Sequence, residues 1–409
     1  MTYSQDFKAT EIGLVPTDWE VCAFYKVVLP VSGQVDPRNP PYCDMPLIAP
    51  DHIESASGKI IAIVDAKAQS AKSGKYPFQK GDVLYSKIRP YLQKVALPQF
   101  DGSCSADMYA LRPKEGISSE FVLYTLLDKR FTEFAISVSA RSGIPKINRN
   151  ELSQFSLAVP PADEQVAIAS ALKDIDDLIA SLDALIAKKR DIKQAAMQQL
   201  LTGKTRLPGF KREWVAKRLA TLGTFFKGSG VRRDQALSGD IPCVRYGEIY
   251  TDHKDMVRQF KSFISAEVAA EATPLQNGDL LFAGSGETKE EIGKCVAFVG
   301  EHPAFAGGDI IILRPNWGSP VFLGYLMNAA DVARQKANRG QGDAVVHISA
   351  GALGAISVLM PEPAEQAAIA EVLTAMDEEI EALNNKRAKM VELKGGMMQQ
   401  LLTGRIRLV

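Results

Sequence analysis

Two stretches of this chain match each other without a gap at a fixed separation of 201 residues. Gln165 corresponds to Gln366 and Thr202 to Thr403 (366 − 165 and 403 − 202). Between those anchors VPPADEQVAIASALKDIDD…MQQLLTGKTRL lies against MPEPAEQAAIAEVLTAMDE…MQQLLTGRIRL. A gapless match fixes the length of the segment as well as its composition. The chain is therefore a tandem of two similar halves, each a globule followed by a long helix.

Within the first repeated segment Ile168, Leu172, Ile175, Ile179, Leu182 and Ile186 step by four, three, four, three and four. The second copy gives Ile369, Leu373, Met376, Ile380 and Leu383, then Met390 and Leu393, with Arg387 interrupting the step opposite Ile186. That spacing is a coiled-coil seam. Prolines precede each helix and Gly203 and Gly404 follow, as helix starts and stops require. About 40 residues at ~1.5 Å each make a rod of roughly 60 Å. A helix could simply cap its own globule, but a heptad of this length needs a partner helix. Because helix one delivers the chain to globule two and helix two leaves from it, the second runs most easily back along the first. An antiparallel pair with a pseudo-two-fold axis and a globule at each end is expected.

The globules share a framework. Trp19 in GLVPTDWEV has a counterpart in Trp214 of RLPGFKREWVAKRL. Each globule then has a GD-L strand (GDVLYS, 81–86; GDLLFAG, 278–284), a further strand (KVAL, 94–97; KCVAF, 294–298) and a D-x-x-x-L-R-P phrase (107–113; 309–315). Phe121 and Tyr124 match Phe322 and Tyr325, and each globule closes on an apolar strand, FSLAVP (155–160) or ISVLMP (356–361). Short strands bounded by Gly and Pro predict an α+β class: two β-rich domains joined by two long antiparallel coiled-coil helices. The expected boundaries are 1–158, 159–204, 205–359 and 360–409.

The copies diverge in their polar loops. After the GD-L strand the first has SKIRPYLQK (86–94) and the second AGSGETKEEIGK (283–294); before the closing strand stand SARSGIPKIN (139–148) and NRGQGDAVVHIS (338–349). Arg, Lys, Ser, Thr, Gln, His and Tyr are the side chains that read base edges or hold phosphate. One scaffold with two loop sets looks like one recognition device tuned to two targets, although exposed loops also drift without function.

Charge gives no support to non-specific polyanion binding. The formal net charge is zero over 409 residues, with 18 basic against 17 acidic residues in 1–158 and 18 against 16 in 205–359. Any nucleic-acid surface must be local. Cys22, Cys43, Cys104, Cys243 and Cys295 form no CxxC pair and the four histidines complete no ligand spacing, so no structural metal is expected. Isolated cysteines, a polar first segment and no apolar run of ~20 residues point to the cytoplasm and away from a membrane.

With TEIGLVPTDWEV, GDVLYSKIRPYL, the DEQ-x-AIA helix ending in QQLLTGK, and their counterparts RLPGF…W, PCVRYGEIY and EQ-x-AIA…QQLLTGR, the chain resembles the specificity subunit of Type I restriction-modification systems over essentially its whole length. The ordered combination of globule, helix, globule, helix carries the resemblance more than any single phrase. It implies that each globule is a target recognition domain reading one half of a split, asymmetric double-stranded DNA site. The helices would be the ruler for the unread gap and the dock for two methylase subunits. Those partners would methylate adenine N6 with S-adenosylmethionine, and two restriction/translocase subunits would use ATP and Mg²⁺. The chain itself would be non-catalytic and hold no cofactor. Half-sites about one helical turn (~34 Å) or somewhat more apart suit such a rod. The expected DNA contacts are Lys87, Arg89, Tyr91, Arg141 and Lys146 in half one, and Ser285, Thr288, Lys289, Arg339, Gln341 and His347 in half two. Arg387 would mark a methylase contact or a local splaying of the helices.

Three other readings of the sequence compete with this one. NPPY (39–42) matches the tetrapeptide that grips a flipped adenine in N6-adenine methyltransferases, and FKGSG (226–230) resembles their cofactor loop, so a permuted methyltransferase is the main alternative. Such an NPPY should cap a buried strand and FKGSG should open a helix; the flanking residues VSGQVDPR and VRRDQALSGDIP suit neither. GSGETKEEIGKC (284–295) fails as a Walker loop because Cys295 follows Gly293-Lys294 where Ser or Thr is needed. A coiled-coil scaffold without a DNA role would explain the rods and leave the paired globules unexplained.

Overall fold

A computed structural model describes residues 6–140 and 143–408, so Arg141 lies outside the described residues. The chain divides into two compact units, Met1–Asp183 with Asn385–Val409, and Ala184–Asn384. Each unit combines one globule with part of each long helix.

In the first unit the GD-L strand Val83–Ser86 is buried along its whole length. It lies in an antiparallel sheet of order Val28–Pro30, Met108–Pro113, Val83–Ser86, Val95–Ala96. The two-residue period of a strand sends its side chains to two separate cores. Val83 and Tyr85 join Trp19, Phe24, Phe121 and Phe131 on one face; Leu84 joins Ile48, Phe78 and Cys104 on the other. Helices therefore cover one face, and the small sheet of Leu47–Ile48, Gly102–Cys104 and Tyr76–Phe78 covers the other. The second unit repeats the plan around Leu280–Ala283. Leu280 and Phe282 face one core, Leu281 and Ala283 another. Its central sheet runs Gly223–Lys227, Ile310–Pro315, Leu280–Ala283, Cys295–Phe298, Met256–Val257. The closing strands Ser156–Val159 and Ser357–Met360 pair antiparallel with Glu20–Ala23 and Val215–Arg218, directly after each Trp phrase.

The shared GD and LRP phrases are two ends of one clamp. Asp82 accepts both arms of the Arg112 guanidinium at 2.8 Å and the Gln79 N–H at 2.9 Å. Asp279 does the same with Arg314 at 2.8 Å and Gln276 at 2.8 Å. Each carboxylate is buried, so the bidentate arginine and the turn N–H offset its desolvation.

The long helices are Ala162–Leu200 and Pro363–Leu401, each 39 residues. Within the first unit Asp176 contacts Lys394 and Asp183 contacts Arg387; within the second, Lys193 contacts Asp377 and Arg190 contacts Asn384. Rising numbers on one helix meet falling numbers on the other, so the pairing in each unit is antiparallel. Ile168, Leu172, Ile179, Leu182, Ile369, Leu373 and Ile380 are buried, while Ile175, Met376 and Leu383 are half-buried. The apolar step expected at Leu393 is not realised. Leu393 is 46% exposed, and its neighbour Lys394 turns inward instead.

The helix ends are built into the globule cores. Ile168 and Leu172 share the first core with Met398 and Leu401, and Leu200 and Leu201 share the second with Ile369 and Leu373. Full burial of each such side chain contributes ~1.5–3 kcal/mol. Each helix closes on a left-handed glycine, Gly203 at φ 69° and Gly404 at φ 68°. A Cβ on Gly404 would meet the Pro16 ring at 2.5 Å, so both backbone conformation and packing demand glycine there.

Candidate nucleic-acid interface

In each unit the segment after the GD-L strand is joined to the segment before the closing strand. In the first, Ile88 bridges Lys146, the Arg89 N–H donates to the Pro145 carbonyl at 2.8 Å, and the Ile147 N–H donates to Lys87 at 2.9 Å. In the second, Ser285–Gly286 pairs antiparallel with Val346–His347, with Ser285 opposite His347. The main chain thus brings together two polar segments in which the copies diverge.

The first unit gathers cations there. Lys87 Nζ and Arg149 Cζ lie over the same Tyr109 ring, 5.6 and 5.9 Å from its centroid, and the Tyr109 hydroxyl donates to the Ile147 carbonyl at 3.2 Å. Burial, and next the charge of nearby Lys146, push the Lys87 ammonium below its ordinary pKa; Asp107 acts in the opposite direction and Arg149 adds to the depression. Arg89 and Lys146 are exposed, as is Tyr91 at 55%. Among the described residues none of Lys87, Arg89, Lys146 or Arg149 enters an ion pair. Crowded cations without an ion-paired carboxylate attract an external anion, and the ammonium and guanidinium over the Tyr109 ring suit phosphate.

The second unit offers hydrogen-bonding groups rather than charge. Ser285 Oγ and His347 Nδ1 are 2.9 Å apart, and Gln341 exchanges main-chain bonds with His347 at 2.9 and 2.8 Å. His347 and Gln341 are exposed; Ser285 is buried beneath them. A cleft of about 470 Å³ beside this ribbon is lined by Phe226, Lys227, Ser285 and His347. Thr288 and Lys289 are exposed, but their turn also carries Glu287, Glu290 and Glu291, which opposes phosphate. Arg339 donates from Nη1 to the Gln335 carbonyl at 2.9 Å, near the end of the helix Ala330–Ala337.

Arg149, Tyr109, Phe226 and Lys227 belong to these surfaces although loop composition did not single them out. Tyr109 carried a readable signal: it stands in DMYALRP where the second copy, DIIILRP, has Ile311. The decoys find no matching context. NPPY lies in a turn, FKGSG is followed by the three-residue 3₁₀ turn Arg233–Gln235, and no helix opens after Gly293-Lys294.

A family described as Type I restriction modification DNA specificity domain matches residues 42–188. The EcoDI specificity subunit of a type I restriction enzyme from Escherichia coli is 31% identical over 203 residues, 49% of this chain and 45% of that protein. A putative type I specificity subunit, MjaX, from Methanocaldococcus jannaschii is 24% identical over 433 aligned positions, 98% of this chain and 97% of that one. A chain in a structure addressing assembly and conformational transition of the type I R-M system shares the fold at TM-score 0.63 and 19% identity. That likeness covers 96% of this chain and 99% of the other. Residues 42–188 are thus similar to a type I restriction-modification DNA specificity domain, and the chain shares its fold with a type I R-M structure. The stretch aligned with the Escherichia coli relative spans less than half the length of that protein.

Proposed function

We propose that this chain is the sequence-reading subunit of a type I restriction-modification complex. Residues 1–158 and 205–359 read separate halves of an asymmetric bipartite double-stranded DNA site, and the two 39-residue helices set the gap between them. The observation that supports this most directly is the pairing of divergent segments on one shared frame. Lys87 and Arg149 gather at Tyr109 in one unit, with Lys146 bridged to Ile88 beside them, and the Ser285–His347 ribbon stands at the matching place in the other. Different side chains at the matching place imply different bases in the two half-sites.

Methylation of adenine N6 with S-adenosylmethionine, and ATP- and Mg²⁺-driven translocation and cleavage, then reside on two methylase and two restriction/translocase subunits that this chain directs. Near-neutral charge fits the division of labour, because partners closing on DNA can supply much of the electrostatic grip. A modified-base map of host DNA with and without this gene tests the reading. Loss of methyladenine at one split, asymmetric motif is expected. An unchanged map in a host with active partner subunits would contradict it.

A further inference from the structure

In both units a single carboxylate ties three separate elements together. In the first, Asp176 of the first long helix accepts the Tyr124 hydroxyl at 3.0 Å and contacts the Lys394 ammonium at 2.7 Å. Tyr124 sits on the globule helix Ser119–Leu127 and Lys394 on the second long helix. In the second unit Asp377 accepts the Tyr325 hydroxyl at 2.6 Å and the Lys193 ammonium at 2.7 Å, with the two long helices exchanging roles. All three members recur at the 201-residue offset (325 − 124, 377 − 176, 394 − 193). Each ammonium also lies over its tyrosine ring, 5.5 Å from the Tyr124 centroid and 5.0 Å from that of Tyr325. Both lysines are buried.

A second polar anchor lies twelve residues nearer each helix start (176 − 164 and 377 − 365). Glu164 accepts the Trp19 indole N–H at 2.9 Å and both arms of Arg407 at 2.5 and 2.7 Å. Glu365 accepts the Trp214 N–H at 3.1 Å and Arg206 at 2.6 and 2.7 Å. Twelve residues of helix are ~18 Å. A globule held at one point can pivot on its helices; one held at two points that far apart keeps its direction. Apolar packing alone permits several near-equivalent seats, whereas separating a buried ammonium from its carboxylate is costly, so the clasp excludes alternative seats. The loops differ between the copies, while both clasps keep the same three residues, with Asp255 as a second carboxylate 3.3 Å from Lys193 in the second unit.

We propose that the duplicated Tyr–Asp–Lys clasps are positioning devices: they fix how each globule sits on its helix pair and thereby hold the DNA spacer to one length. The inference rests on the DNA-reading function proposed above. One base pair is ~3.4 Å of rise, about a tenth of a helical turn. At ~18 Å from a pivot, a tilt of only about 11° covers that distance. Loss of a clasp is small in structure and readable in spacer length.

The test is a methyladenine map in cells carrying the full chain with its methylase partners, for the wild type, Lys394→Met, Tyr124→Phe and Lys394→Arg. Lys394→Met and Tyr124→Phe should keep both half-site sequences while methylation spreads to spacers one base pair shorter and longer. Lys394→Arg should retain the single spacer. Tyr124→Phe removes only a hydroxyl and keeps the test alive if Lys394→Met does not fold. A single unchanged spacer in both variants overturns the proposal, as does loss of methylation in both with helical circular dichroism intact. A wild-type map without a split motif defeats the DNA-reading function itself, and the clasp proposal with it.

Discussion

Arg387 donates from Nε and Nη2 to the carboxylate of Asp183, where the sequence of the second helix interrupts its apolar step. The interruption is an ion pair between the two helices. Both side chains are about two-fifths exposed, 41% and 40%, and a pair so wet contributes roughly 0–1 kcal/mol. Arg387→Leu, which restores the apolar character of the aligned Ile186, should unfold within about 1 kcal/mol of the wild type in urea and leave the methylated motif unchanged. A larger loss would assign the pair a structural role that its exposure does not predict.

The cations around Tyr109 make a different demand. Lys87→Ala and Lys146→Ala should weaken binding to every DNA sequence alike, and each should lower the slope of log affinity against log salt by about 1. Titrations of labelled duplex across a salt series measure this. A change confined to the cognate sequence would mean that these lysines read bases.

The Asp279–Arg314 clamp stabilises through burial. Asp279 is wholly buried and Arg314 is 29% exposed. Arg314→Ala should therefore cost about 3–5 kcal/mol, because it strands a buried carboxylate. Replacing both residues by apolar ones of similar size should recover part of that loss in chemical denaturation. In the first unit Arg112 is 41% exposed, so water replaces more of it and Arg112→Ala should cost less.

Lys336 gives a pH signature. It is buried, donates to the Gly293 carbonyl at 2.6 Å, and burial pushes its pKa down from 10.5 to about 8. Between those values the unfolded chain binds more protons than the folded one, so stability rises with pH through that window. The destabilisation is complete below pH 8 and fades towards pH 10.5. Lys336→Met removes it, so the variant's stability relative to the wild type should fall by about 3 kcal/mol between pH 7 and pH 10.5. A difference that stays flat across the range would show that Lys336 titrates normally.

The helices and strands were legible because their signals are local. A heptad from Ile168 to Ile186 and the apolar run of Leu280–Ala283 are each read within one element. The clamps and clasps were not, because their partners lie far apart in sequence. Trp19 and Glu164 are separated by 145 residues, and Asp183 and Arg387 by 204. Asp82 and Arg112 were visible as repeated phrases, yet nothing in the phrases says that one binds the other. Leu393 was misplaced for a related reason. Periodicity favours the apolar neighbour, while the structure buries Lys394 against Asp176 and the Tyr124 ring. In the loops, composition pointed to segments that the main chain joins, but not to individual roles. Ser285 proves to be a buried support for His347, and Lys289 shares its turn with three glutamates.

The assignment of one half-site to each globule is tested by exchanging residues 1–158 for the corresponding region of a specificity subunit of known target and sequencing the methylated motif. One half-site should become that of the donor, while the other half-site stays as it was. A hybrid that alters both half-sites, or neither, would contradict the assignment of one half-site to each globule.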